Sequence, residues 1–224
     1  MTRLSFTLPA SRLALQGIGV FALIAAAGPG SATAQETGRA AQQAQRFSLG
    51  PTIGFYLPVT ELLKAISGQS LKQESGIAVG GQMGIALSRR LGLQLTGNFV
   101  PGDLRATRDN TSKTTTAASV FFGAGKVSYS LLPPTFPISL QLNGGVAVVK
   151  RGGTAYQNLK NKTSMGGTVG AQLGLRLGSL PPLQVGVETY LYKQNLDGLI
   201  SETGEKASQK DVQFSFGFGV PFGD

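Results

Sequence analysis

The sequence predicts an all-β fold, an eight-stranded antiparallel up-and-down transmembrane β-barrel. Three observations predict it. Apolar residues alternate with small or polar ones along eight stretches between Arg46 and Phe222, the period-2 signature of half-buried strands. The links between those stretches alternate between short and long, as they do in membrane barrels. The face opposite the apolar one is rich in Gly and almost free of charge, which suits an enclosed interior better than a watered surface.

Composition bounds the answer before any element is placed. The chain has 224 residues, enough for one domain or at most two. Its 32 glycines are about twice the usual share of ~7%. Charged residues make up 14%, against ~25% in ordinary soluble domains. Such a chain would have a poor soluble surface. It is also too apolar and too regular to be disordered. There is no Cys, which excludes disulfides, thiolate metal sites and a lipidated Cys anchor. There is no His, which removes the commonest general base and the commonest transition-metal ligand. We therefore expect no catalytic, cofactor-binding or metal site. Trp is absent too, so Tyr and Phe must serve wherever aromatic residues meet a membrane interface.

The first 34 residues read as an export signal. Met1 to Gln16 carries Arg3 and Arg12 and no acid, and Gly17 to Ala27 is an uninterrupted run of apolar and small residues. Gly28, Pro29 and Gly30 break any helix, and Ala32-Thr33-Ala34 is a small-x-small cleavage site. The apolar run is shorter than the ~20 residues a spanning helix needs. Cleavage would make Gln35 the mature start. Loss of Arg3 and Arg12 would take the formal net charge from +9 to +7. The expected layout is a signal peptide over 1–34, a polar lead-in over 35–45 and the barrel over 46–224. No later stretch resembles a spanning helix, so a membrane position requires a closed barrel.

The eight strands follow in order. Arg46 to Leu57 aligns Phe47, Leu49, Ile53, Phe55 and Leu57. Gly76 to Ser88 aligns Ile77, Val79, Met83, Ile85 and Leu87. Leu91 to Val100 aligns Leu91, Leu93, Leu95 and Phe99. The fourth, Ala117 to Leu131, has two registers: Val120, Phe122 and Ala124 suit one, and Val127, Tyr129 and Leu131 suit the other. A bulge near Gly123 to Gly125 would reconcile them. The fifth to eighth span Ile138–Val149, Ser164–Leu177, Leu183–Lys193 and Asp211–Phe222. Short links are expected at Arg89-Arg90, Leu132-Pro133-Pro134 and Ser179-Leu180-Pro181-Pro182. Long polar links are expected over 58–75, 101–116, 150–163 and 194–210.

The two faces separate a membrane barrel from a soluble one. A soluble periplasmic barrel of lipocalin type would point its apolar face inward around an apolar ligand and show water a charged face. Here the second face is Gly80, Gln82, Gly84 and Ser88 in one strand and Gln94, Thr96 and Asn98 in the next. In the sixth it is Thr168, Gln172 and Arg176, among glycines. Small uncharged groups suit a cramped lumen. The large apolar groups then face lipid, since so much exposed Leu, Val and Phe would aggregate in water.

The C-terminal strand places Phe214, Phe216, Phe218, Val220 and Phe222 on one face. This pattern resembles the signal read by the outer-membrane assembly machinery, although Gly223 and Asp224 follow the terminal aromatic residue. With the export signal and the hairpin plan, the chain resembles the small outer-membrane β-barrel family typified by OmpA and OmpX. The resemblance covers about Arg46 to Phe222 and is one of layout. It implies a Gram-negative outer-membrane location and a non-enzymatic role in envelope structure, surface interaction and adhesion, or a minor pore.

Two groups of charged residues are candidate sites. Glu188 lies on the inward face with Gln184, Gly186 and Tyr190. Arg176 on the sixth strand and Lys126 on the fourth also point inward, which predicts a lumenal charge network of Glu188, Arg176 and Lys126. The third long link carries Lys150, Arg151, Lys160 and Lys162 and no acid. At an outer surface it would face lipopolysaccharide phosphates, which Lys and Arg bind. Nucleic acid is not an expected partner, because the basic residues are scattered over loops and no recognition fold appears. A closed eight-strand barrel needs only one chain, so a monomer in outer-membrane lipid is expected.

Overall fold

The computed structural model describes residues 47–66, 69–108, 112–133, 136–177, 180–197 and 206–222. The expected signal peptide, the polar lead-in, Pro134 and Ser179 lie outside the described residues. The described residues form β1 (Phe47–Pro58), β2 (Leu63–Ile66), β3 (Gln69–Gln73), β4 (Gly76–Ala86), β5 (Leu91–Arg108) and β6 (Ser112–Ser130). These are followed by β7 (Ile138–Gly152), β8 (Thr163–Leu175), β9 (Leu183–Asn195), β10 (Lys206–Phe218) and β11 (Val220–Phe222). A single 3-10 turn, η1 (Thr154–Tyr156), lies between β7 and β8.

Eight strands close into an antiparallel barrel. β1 pairs with β4 on one side and β10 on the other, and the rest follow in chain order. Closure gives each of the eight strands a partner on both sides around the barrel, and only their upper extensions are paired on one side. β11 continues β10 along β1 in the same register, Thr52 opposite Gly217 and Leu49 opposite Val220. Pro51 lies between those pairs, and its missing N–H cannot extend the ladder there.

Three expectations are corrected. The long link over 101–116 is mostly strand, because β5 and β6 pair without interruption from Leu91–Tyr129 to Arg108–Ser112. The link over 58–75 holds the small hairpin β2–β3, whose second strand pairs with the upper part of β5. β6 has no bulge. It keeps one register with both neighbours, so Val127 and Tyr129 face out while Val120, Phe122 and Ala124 face in. The two apolar sets mark two environments, lumen above and outer wall below.

The outer wall is apolar. Its side chains alternate with inward ones by the strand period. They include Phe55, Val79, Leu95, Val146, Met165 and Phe216, and all are exposed, with Met165 at 74% and Val146 at 67%. Their orientation is opposite to that of a soluble ligand-carrying barrel, which would turn these groups inward. The interior is filled. Tyr56, Phe122 and Tyr190 pack across it as tilted rings with centroids 5.3 and 4.6 Å apart, and Val100, Val120 and Val149 pack around them at full burial. A second apolar cluster caps the long-loop end. Leu62, Leu104, Ala118, Tyr156, Leu159 and Leu196 close over it.

Candidate functional site

The lumen is layered from the short-turn end upward. Alternation puts Gln82 of β4, Gln94 of β5, Gln172 of β8 and Gln184 of β9 at one level. Their amides bond one another. Gln94 Nε2 donates to Gln82 Oε1 at 3.0 Å and to Gln172 Oε1 at 3.2 Å. Gln172 Nε2 donates to Gln184 Oε1 at 2.7 Å, and Gln82 Nε2 donates to the same oxygen. An amide carries donors and an acceptor, so glutamines can form such a layer with no net charge.

Above the glutamines lies an ion pair. Lys126 Nζ donates to Glu188 Oε2 at 2.8 Å, with side-chain exposures of 2% and 13%. Thr168 Oγ1 donates to the other carboxylate oxygen at 2.7 Å. The pair thus has the additional hydrogen bond that a buried charge needs. A cavity of about 20 Å³ adjoins it, lined by Thr96, Asn143 and Gln213 among others. That is room for one water molecule between polar groups. Thr52, Asn98 and Gln213 extend the polar layer, with Thr52 Oγ1 donating to Asn98 Oδ1 at 2.9 Å.

A second charged cluster sits above the aromatic layer. Arg151 is buried, at 1% exposure. Its Nη1 donates to Tyr156 Oη at 2.9 Å, its Nη2 to Tyr192 Oη at 2.7 Å and its Nε to Gln194 Oε1 at 3.2 Å. Tyr192 Oη passes a bond to Asp211 Oδ2 at 2.6 Å, and Tyr156 Oη to Gln73 Oε1 at 2.6 Å. The guanidinium also stands over both tyrosine rings, 5.4 and 5.9 Å from their centroids, the geometry of a cation–π contact. Burial pushes the Tyr156 phenol above its ordinary pKa, with Arg151 opposing. The cluster ties the η1 loop and the β2–β3 hairpin to the barrel wall.

The structure brings Lys126 and Glu188 together, as the sequence predicts, and leaves Arg176 apart from them. β8 ends at Leu175, and the exposed Arg176 lies beyond it at the mouth of a cavity. Of the four basic residues of the third link, Lys150 and Lys160 are exposed and Lys162 is partly exposed. Arg151 is turned inward and takes no part in that surface. Phe214, Phe216, Phe218, Val220 and Phe222 all face outward. The Arg151 cluster escapes the sequence reading because it forms above the apolar outer wall, where the one-sided apolar alternation ends. The recurrence of Gln on inward positions was the one sequence signal of the amide layer.

Solved structures show the same architecture. The outer membrane protein OprG from Pseudomonas aeruginosa superposes with a TM-score of 0.58 at 10% identity, over 80% of this chain and 97% of that one. Neisserial surface protein A superposes at 0.56 and 12% identity, over 80% and 99%. This chain has their fold. No family model and no curated protein matches the sequence, so the likeness is one of backbone architecture. It supplies no residue roles, and those rest on the geometry above. Among the described residues no group of acids could hold a metal ion. The chemistry the lumen offers is hydrogen bonding and fixed charge.

Proposed function

We propose that this chain is a non-catalytic, integral outer-membrane barrel. Its role is structural and surface-interacting, and its lumen does not conduct. One observation carries the reading: a continuous apolar wall surrounds a lumen closed by the aromatic layer and by the cap above it. Such a wall needs an apolar surrounding, which lipid supplies on all sides of a barrel, and such a lumen offers solutes no through-path. Along β8 and the two residues that follow it the wall runs from Met165 to Leu177, about 25–30 Å of height for a chain that keeps the strand's direction at a tilt of ~40°. That matches a bilayer core.

Lipopolysaccharide is the proposed partner of the long-loop end. Just above the apolar wall, β7 to β10 carry exposed Lys150, Lys193, Lys206 and Lys210. Lys193 is opposite Ser208, between Lys206 and Lys210 on the same face. Lys160 and Lys162 lie in the adjoining loop. The outward positions of these four strands hold no carboxylate among the described residues. A cationic arc at the upper edge of an apolar belt fits phosphates in an outer leaflet.

Two measurements test the reading together. Membrane-extracted protein run on SDS gels with and without boiling is expected to show a compact species that shifts on heating. The same material in planar bilayers is expected to leave the conductance at baseline. Soluble protein with no mobility shift would overturn the membrane reading. A steady single-channel current would overturn the closed lumen.

A further inference from the structure

Between the glutamine layer and the aromatic layer, four buried side-chain atoms make no hydrogen bond within the protein. They are Gln94 Oε1, Thr96 Oγ1, Asn143 Oδ1 and Gln213 Nε2. All four residues line the cavity of about 20 Å³ beside the Lys126–Glu188 pair. Asn143 is 8% exposed and Gln213 is 2% exposed, so bulk water does not serve them. An unpaired polar group in such a place is costly. Four of them around one small cavity call for a common partner. The cavity meets the requirement of one water molecule, roughly 10–15 Å³.

We propose that this cavity is the binding site of one resident water molecule, which bridges β5, β7 and β10 across the lumen. The chemistry of the four atoms matches it. Gln94 Oε1 and Asn143 Oδ1 only accept, Gln213 Nε2 only donates, and the Thr96 hydroxyl does either. Water donates through both hydrogens and accepts through its oxygen, so one molecule satisfies the set. A metal cation is disfavoured by the Lys126 ammonium and the Gln213 amide, which line the same cavity. An anion is disfavoured by Glu188 and the two amide oxygens. An apolar filling would leave all four atoms unpaired. The position of the water gives it a role. Gln94 and Thr96 are on β5, Asn143 is on β7 and Gln213 is on β10, and no two of these strands pair. Ladder hydrogen bonds join only neighbouring strands, so the water ties walls that the sheet leaves apart. It stands beside the ion pair, whose Glu188 is already held by Thr168, and completes the polar layer without adding charge.

The full-length folded barrel is tested in two ways. A crystal structure fine enough to show ordered water is expected to place one density peak about 2.7–3.2 Å from at least three of the four atoms. In detergent micelles, rotating-frame NMR is expected to show a dipolar cross-peak from water to the Gln213 side-chain amide, opposite in sign to chemical exchange. The double variant Thr96→Val with Asn143→Leu leaves only two partners and fills part of the space. It is expected to lose both the density peak and the cross-peak while heat modifiability is kept. The Tyr190 hydroxyl, which donates to Gln213 Oε1 at 3.3 Å, is unchanged in that variant and would be the source of a cross-peak that survives. If the variant does not fold, the crystal structure of the native chain decides alone. Three results would each overturn the proposal. They are no density peak, a peak at about 2.3–2.6 Å from oxygens alone, which marks a metal cation, and a cross-peak that persists in the folded variant.

Discussion

Lys126 and Glu188 sit in a lumen where water is scarce, so each is tolerable only because the other is there. Removing one partner strands the other, whereas removing both with apolar groups of similar size removes the desolvation cost as well. Glu188→Gln is therefore expected to destabilise the barrel by about 3–5 kcal/mol. The double variant Lys126→Met with Glu188→Leu should lie closer to the native chain than that single variant does. Guanidinium unfolding followed by gel mobility measures both. A Glu188→Gln cost near zero would mean that water reaches Lys126 freely. The acid of this pair was legible in the sequence, since Glu188 falls on an inward position among Gln184, Gly186 and Tyr190. Its partner became secure only when the register of β6 was fixed. Arg151 and Asp211 were not legible as a site. One falls in an expected loop and the other at the margin of an expected strand, and neither sequence context shows that Tyr192 joins them.

At the scale of the element, the apolar face changes sides partway up the barrel, and this explains which strands the sequence concealed. In the lower part of β5, Leu91, Leu93, Leu95 and Phe99 face outward. In its upper part Val100 and Leu104 face inward, while Asp103 and Arg105 face out, with Arg105 paired to Glu74. Below, the outside is apolar and the lumen polar; above, the outside is polar and the inside must supply the core. A reader following one apolar face loses the strand where the faces exchange. That is why 101–116 looks like a loop and why β6 looks like two registers. Close strand contact is the second device of the element scale. A Cβ at the inward Gly170 would lie 2.5 Å from the Val187 carbonyl oxygen and 2.8 Å from Asn143 Oδ1. At the outward Gly97 it would meet only the Phe121 ring, at 3.7 Å. Gly170→Val is expected to cost about 1–3 kcal/mol or more through overpacking and to lower the yield of heat-modifiable barrel. Gly97→Ala is expected to be neutral or slightly stabilising. Equal effects at the two sites would mean that β8 and β9 yield more easily than their register implies.

For the whole molecule, the decisive quantity is how the outer wall responds to charge as a function of height. In lipid, an arginine on the outward face costs about 2–4 kcal/mol at mid-depth and ~0–1 kcal/mol near either interface. In water it would cost little anywhere. β8 and the residues just after it offer a ruler, because Met165, Val169 and Leu173 lie along the strand's outward face and the exposed Leu177 follows at its short-turn end. Single arginine substitutions at these four positions, with unfolding measured in lipid vesicles, are expected to give a peaked profile. Val169→Arg and Leu173→Arg should be the costly pair, and Met165→Arg and Leu177→Arg the mild one. The position of the peak would locate the bilayer midplane on the barrel. It would thereby place Lys150, Lys193 and Lys210 at the height of the outer phosphates and the short turns at the opposite surface. A flat profile near zero would put the wall in water. The lysine arc would then be a solvated rim, and the apolar face would need a protein partner to cover it.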